Sequence, residues 1–586
     1  MSLLSVVVLS ALGLAAAYVV YGRLLARLFR LDADAPTPAV TLRDDVDYVP
    51  IEPKFLLSQH FSAIAAAGPI VGPILAGTMF GWLPALIWIL VGSIFIGGVH
   101  DLGALVASVR HRARSIAEVV REHMTRRSYL LFLAFVWFAL CYIIAAFTDV
   151  TASSFIGRQE LENGQMVSGG GIASSSLLYL ALPIIMGLLL RYTRLSLNLA
   201  TVIFLPLVGV SIWVGQYIPF DVAALLSIDG ATAQKYWNVA LLAYCCVASV
   251  VPMWLLLQPR GHLGGFFLYA ALIGGALGLA LSDESVQYPA FIGWTAPSGA
   301  PLFPMLFITI ACGACSGFHA IIASGTSSKQ LRRETDARVI GYGAMLLEGM
   351  VAVVSLCCVM RLTRDAPAFA GGPKPNYLYA QGIGGFLSAI GIPAAFGVSF
   401  GLMAFTTFVY DTLDVCTRLG RYVVQELIGR HDRAGRAIGT LVTAGLPLLF
   451  LLQPPGRDAA GRVIPVWRTF WDLFGASNQL LAALTLIGVT VWLWQTRRAR
   501  WVWAVTGAPA VWMYAMSMWA LLRIVRAHFA ANGVTLSPLP WVGLLLVALA
   551  VLVFVEAVRV LAGGSKPPPR HGYPAVEAQP GVSPAV

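Results

Sequence analysis

Apolar runs long enough to cross a bilayer follow one another along almost the whole chain, separated by short polar intervals rich in Arg, Gly and Pro. A hydrocarbon core of about 30 Å asks for roughly 20 residues of helix. The runs therefore predict an all-α integral membrane fold of about 15 transmembrane helices. The expected spans are 2–22, 58–80, 82–109, 129–151, 174–190, 196–217, 237–257, 264–282, 301–325, 338–360, 388–416, 434–453, 470–494, 501–523 and 540–561. The stretch 377–400 is weakly apolar and Gly-rich, so the count is fixed only to within one span there. The first apolar segment, Ser2 to Tyr21, is followed by Arg23, Arg27 and Arg30. A secretory leader has the reverse order, so this segment is expected to stay as a helix with its N-terminus outside. That threading leaves about 29 of the 39 Lys and Arg residues on the cytoplasmic side, the bias of a bacterial inner-membrane protein. The tail from Gly563 has no periodicity and is expected to be disordered and cytoplasmic.

Composition agrees with lipid as the solvent. Of 586 residues, 58% are hydrophobic and 11% charged, where a soluble domain carries about 25% charged residues. The net charge of +11 sits in short clusters such as Arg110-His111-Arg112-Ala113-Arg114 and Arg497-Arg498-Ala499-Arg500, which report orientation rather than a nucleic-acid partner. Eight cysteines lie mostly inside apolar runs, and the pair Cys312 and Cys315 reads as helix packing rather than a redox or metal centre. No phosphate-binding loop, zinc-protease or nucleophile-elbow motif occurs. No catalytic residue, cofactor or metal is expected, and the chain reads as a transporter driven by an ion or substrate gradient rather than an enzyme.

Two spans break the rules of membrane helices. The second contains Ala67-Gly68-Pro69-Ile70-Val71-Gly72-Pro73, where two Gly-Pro pairs remove amide donors in mid-membrane. Irregular backbone at that depth is tolerated where it lines a cavity or is buried in protein. The seventh carries Ser249 and Pro252. Broken helices five spans apart with opposite direction are the mark of a 5+5 inverted-repeat transporter core with its substrate between the breaks. On that template 1–30 is a peripheral helix, 31–217 the first repeat, 237–420 the second, 434–561 peripheral helices and 562–586 the tail. The expected substrate-binding residues are Ala67, Gly68, Pro69, Ile70, Val71, Gly72, Ser249 and Pro252, with unpaired amides around Ile70 to Gly72 forming a positive helix end suited to a carboxylate.

Ionisable residues inside spans are functional candidates because each costs several kcal/mol when unpaired. They are His60, His100, Asp101, His319 and Glu348, with the hydroxyls of Ser316 and Ser324 nearby. Glu348 has no charged neighbour in its own span, which fits proton coupling. Asp411 and Asp414 are spaced to pair with Arg418 and Arg421, and Asn478 with Gln479 reads as a structural hydrogen-bonding pair.

Several stretches resemble the carbon starvation protein family (CstA). They include Asp47-Tyr48-Val49-Pro50, Gln59-His60-Phe61-Ser62 running on to Gly72-Pro73, and Leu257-Gln258-Pro259-Arg260-Gly261. Further along come Ala311-Cys312-Gly313 to Phe318-His319, Ser324-Gly325-Thr326-Ser327-Ser328-Lys329-Gln330, Gly341-Tyr342-Gly343 to Glu348-Gly349, and Leu473-Phe474-Gly475-Ala476-Ser477-Asn478-Gln479. Ser58-Gln59 stands where the family pattern has Gly-His. The resemblance implies an inner-membrane importer of pyruvate or a peptide in carbon-limited cells, with proton symport. It also implies the inverted-repeat superfamily of amino acid, polyamine and cation carriers, and an ion-site role for Ser316, His319 and Ser324. A sodium-coupled amino-acid carrier and a nutrient sensor without transport are the alternative readings.

Overall fold

The computed structural model describes residues 2–44, 48–160, 166–369, 372–430, 432–453, 456–457, 463–534 and 538–563. The expected disordered tail lies outside these, apart from its first two residues. Helix α1 (Leu3–Phe29) leads through a short α2 (Pro38–Thr41) to α3 (Pro53–Ile64) and α4 (Gly68–Phe80). Next come α5 (Trp82–Gly92), a π turn at Ser93–Gly97, α6 (Gly98–Arg110), α7 (Ile116–His123) and α8 (Arg126–Ser153). A hairpin of β1 (Arg158–Glu160) and β2 (Met166–Ser168) precedes α9 (Gly169–Tyr192), α10 (Leu197–Tyr217), α11 (Val222–Leu226), α12 (Gly230–Val250) and α13 (Leu257–Leu281). Then follow α14 (Leu302–Thr309), α15 (Gly317–Gly325), a second π turn at Arg338–Gly343, α16 (Ala344–Met360), α17 (Pro375–Ala389) and α18 (Ala394–Ile428). The chain ends with α19 (Arg433–Leu451), the β3 (Gly456–Arg457) and β4 (Val463–Ile464) hairpin, α20 (Val466–Arg497), α21 (Ala508–Asn532) and α22 (Pro538–Ala562).

Among the described residues, 12 helices are long and apolar enough to cross a membrane, or 13 with the bent pair α3 and α4 counted as one span. The fold is thus all-α and multi-pass, with fewer full-length spans than the expected 15. Part of the difference is physical. The expected span 388–416 survives as the long α18, entered after a turn at Gly391 with φ of 86°, but the expected span 58–80 is interrupted between α3 and α4. The expected span 301–325 is not continuous either: α14 stops at Thr309, and Ile310 to Ser316 are unwound before α15 starts.

The second span breaks as its glycines and prolines predict, bending by 48°. The interruption is at Ala65–Ala67, and Gly68 and Pro69 already form the first turn of α4, where a missing proline N–H costs nothing. A Cβ on Gly68 would stand 2.3 Å from Cys312 Sγ. The glycine therefore lets the start of α4 lie directly on the unwound segment 310–316.

The second expected break is corrected. Helix α12 runs unbroken to Val250, and Pro252 is exposed in the turn that leads to α13. The proline ends a helix rather than interrupting one. A second interruption within an expected span is the unwound stretch between α14 and α15. Its sequence, Cys312-Gly313-Ala314-Cys315, carries no proline and so lacks the mark that the first break bears. Helix α20 is enclosed by its neighbours: its apolar window is 100% buried, against 28% for α1 and α22.

Candidate functional site

Helix α6, entered through the π turn, carries His100 and Asp101 side by side and fully buried. Asp101 uses both carboxylate oxygens. Oδ1 lies 2.7 Å from His100 Nδ1, and Oδ2 lies 2.8 Å from His319 Nδ1 on α15. The other ring nitrogen of His319 lies 3.1 Å from Glu348 Oε2 on α16, at ion-pair distance though not aligned as a hydrogen bond. Four sequence-predicted residues from three helices thus form one string, His100–Asp101–His319–Glu348, all at 0% exposure. Both oxygens of Glu348 and Nε2 of His100 have no hydrogen-bond partner among the described residues. The π turns before α6 and before α16 shift the register of the two helices that supply the acids.

His60, on α3 ahead of the break, is also buried, and its Nδ1 lies 2.7 Å from Ser327 Oγ. Two residues on, the Ser62 hydroxyl donates to Asp411 Oδ2 on α18. Asp411 belongs to a second buried group that the sequence reading did not assemble. Arg260 on α13 places Nε 2.6 Å from Asp411 Oδ1 and Nη2 2.5 Å from Asp414 Oδ2. Its Nη1 donates to the Tyr244 hydroxyl, which donates to Asp414 Oδ2 at 2.9 Å. One guanidinium therefore bridges two carboxylates, as its planar fork of donors allows. Arg418, the expected partner of the aspartates, instead donates to the carbonyls of Ala248 and Val251 at 2.7 and 2.6 Å, capping the end of α12.

A narrow cavity lies between these groups, lined by Gln59, His60, Ala63, Leu257, Gly261, Thr326, Ser327, Asp411 and Val415. Helix α13 reaches it through a glycine face: a Cβ on Gly264 would lie 2.4 Å from Ser62 Oγ and 2.7 Å from Asp411 Oδ2.

The remaining predicted residues sit elsewhere. Ala67, Gly68, Pro69, Ile70, Val71 and Gly72 are buried and do not line the cavity. The Ile70 and Val71 amides, expected to be free, donate to the Ala67 carbonyl at 3.2 and 2.8 Å. Ser249 bonds the Cys246 carbonyl at 2.9 Å and lies 3.3 Å from the Thr440 hydroxyl. Ser316 lies in the second break, where Asn478 Nδ2 donates to its hydroxyl at 3.0 Å and Asn478 Oδ1 accepts the Phe318 amide at 3.0 Å. Gln479 donates to the Phe307 carbonyl at 2.5 Å. This pair from α20 satisfies backbone groups that the unwound segment exposes. Ser324 donates to the Ala320 carbonyl at 2.6 Å and accepts the Ile116 amide at 3.1 Å, fastening α7.

The family model for carbon starvation protein CstA matches residues 2–369 and 366–520. The chain belongs to the CstA family. It is 33% identical over 578 residues to the pyruvate/proton symporter BtsT of Escherichia coli, covering 84% of this chain and 78% of that one. It is 30% identical to the peptide transporter CstA of Campylobacter jejuni, covering 88% of this chain and 79% of that protein. With the peptide transporter CstA of Bacillus subtilis it shares 28% identity, covering 97% and 98% of the two chains. Among solved structures, the L-phenylalanine complex of MhsT overlays with a TM-score of 0.43 at 13% identity, covering 86% of this chain and 98% of that one. The protein is a multi-pass secondary transporter of the bacterial inner membrane, not an enzyme.

Proposed function

We propose that this transporter imports pyruvate or a small peptide by proton symport, with the coupling proton bound on the His100–Asp101–His319–Glu348 string. The observation that carries the reading is His319 held between two carboxylates inside the membrane. Its Nδ1 is hydrogen-bonded to Asp101 and its Nε2 lies at ion-pair distance from Glu348, a setting between two carboxylates that favours the imidazolium. With Asp101 and Glu348 both ionised the string then carries one net negative charge, and a proton on Glu348 neutralises it. A bare charge in a bilayer costs several kcal/mol, so proton uptake at Glu348 favours the conformational change that carries substrate. The relatives named a pyruvate/proton symporter and peptide transporters support the solute class.

The substrate is proposed to bind beside the first break, where His60, Thr326, Ser327 and Asp411 line a cavity of about 10 Å³ that must widen to admit it. Residues Ala67–Gly72 act there as the packing that holds the break open. The two breaks are read as the paired broken helices of an inverted repeat. Each is followed by a span with a π turn and a buried acid, Asp101 after the first and Glu348 after the second.

The test is uptake of labelled pyruvate and dipeptides into proteoliposomes under an imposed inward proton gradient, with counterflow to choose between substrates. Uptake that collapses with a protonophore is expected. Uptake that follows a sodium gradient and ignores the proton gradient would overturn the coupling.

A further inference from the structure

Outside the transport site, the turn after α6 and the end of α7 bring His111, Glu122 and His123 together, with one ligand-capable atom of each within 4.8 Å of the others. The two imidazoles point their Nε2 atoms at one another, 2.8 Å apart. Both Nδ1 atoms are already engaged. His111 Nδ1 lies 2.6 Å from the Ala107 carbonyl oxygen, which can only accept, so that nitrogen carries the proton. Gln495 on α20 donates its amide N–H to the His123 carbonyl at 3.3 Å. This turns its Oε1 toward His123 Nδ1 at 2.9 Å, which must therefore also be N–H. Two neutral imidazoles in these tautomers face each other lone pair to lone pair, an arrangement that repels until a cation stands between them.

An Nδ1–H held by a carbonyl or amide oxygen, with Nε2 left bare, is how ligating histidines are oriented. We propose that His111, Glu122 and His123 form a binding site for a divalent transition-metal ion of the zinc class, on the face the charge distribution assigns to the cytoplasm. Two imidazoles and a carboxylate are three ligands, and the exposed position of Glu122 leaves a fourth to water. Nitrogen ligands on tetrahedral zinc stand about 3.3 Å apart, so the two rings need to separate by only about half an ångström. Nitrogen donors disfavour magnesium and calcium. Asp101 lies ten residues upstream on the same helix, about 15 Å away. The ion is thus separate from the transport string, and it clamps the end of α6 to α7 and, through Gln495, to α20.

The test uses full-length, tag-free protein in detergent, stripped with chelator and titrated with Co²⁺ while the visible d–d absorption is followed, then with Zn²⁺ in competition. One equivalent per chain is expected, abolished in His111→Ala and His123→Ala. Affinity should weaken about 10- to 100-fold in Gln495→Ala and be restored in Gln495→Glu, which keeps an acceptor for Nδ1–H. The wild-type titration decides even if a variant fails to fold. No Co²⁺ signal from the folded wild type, or an unchanged signal in folded His111→Ala and His123→Ala, would overturn the proposal.

Discussion

Arg260 and Asp411 lie 151 residues apart in sequence and 2.6 Å apart in space, both almost wholly shielded from solvent. The pair joins α13 to α18 and, through Ser62, both to the half-helix ahead of the first break. Replacing Arg260 by Met leaves Asp411 and Asp414 without the guanidinium that bridges them. The expected loss is about 3–5 kcal/mol, the range for breaking a buried ion pair. Thermal unfolding in detergent would measure it, and the triple change Arg260→Met, Asp411→Leu, Asp414→Leu should recover much of the loss. A single variant as stable as wild type would mean that the cluster is not held in a low dielectric.

Glu348→Gln keeps the shape of the side chain and removes its capacity to bind and release a proton. Proton-driven accumulation should fall by at least about tenfold, the 1.4 kcal/mol scale of one modest electrostatic interaction. Counterflow, which needs no net proton movement, should persist. Undiminished proton-driven uptake would take Glu348 out of the mechanism.

Gly264→Ala places a methyl group where Ser62 and Asp411 meet. Overpacking of this kind costs about 1–3 kcal/mol and should lower both thermal stability and uptake. Gly209→Ala is the control, because a Cβ there meets nothing within 4 Å. In a helix interior that change should be neutral or stabilise by up to about 1 kcal/mol. Equal behaviour of the two variants would contradict the close approach of α13 to α3.

All eight cysteines are free thiols, seven buried and Cys246 half-buried. Native protein treated with a maleimide should acquire at most one label, and denatured protein eight, counted by intact mass. Rapid native labelling of Cys312 or Cys315 would show that the unwound segment opens to water.

The lipid-facing character of the chain, the first break and the four members of the His100–Asp101–His319–Glu348 string were legible in the sequence. Each depends on residue types that are costly in a membrane wherever they fall. The second break was not legible, because small residues without proline are as common in packed helices as in unwound ones. Arg260 was hidden for a different reason. Gln258-Pro259-Arg260-Gly261-His262 lowers local hydropathy to that of a loop, although in the fold it is the first turns of α13 and carries a buried charge. Asp414 and Arg418 show the limit of spacing arguments. Four residues apart on one helix, they could pair locally, but Asp414 is taken by Arg260 and Arg418 by the carbonyls at the end of α12.

The separation of Arg260 from its carboxylates also bears on how the protein is made. A ribosome adding about 5–20 residues per second needs roughly 8–30 s to travel from Arg260 to Asp411. It needs roughly 20–70 s to span the 349 residues between Ser62 and Asp411. From the synthesis of Arg260 until that of Asp411 the nascent chain holds a guanidinium without its carboxylates, so the ion pair between α13 and α18 forms only after that part of α18 has been synthesised. The junction of α3, α13 and α18 is therefore closed late in synthesis, when most of the chain already exists.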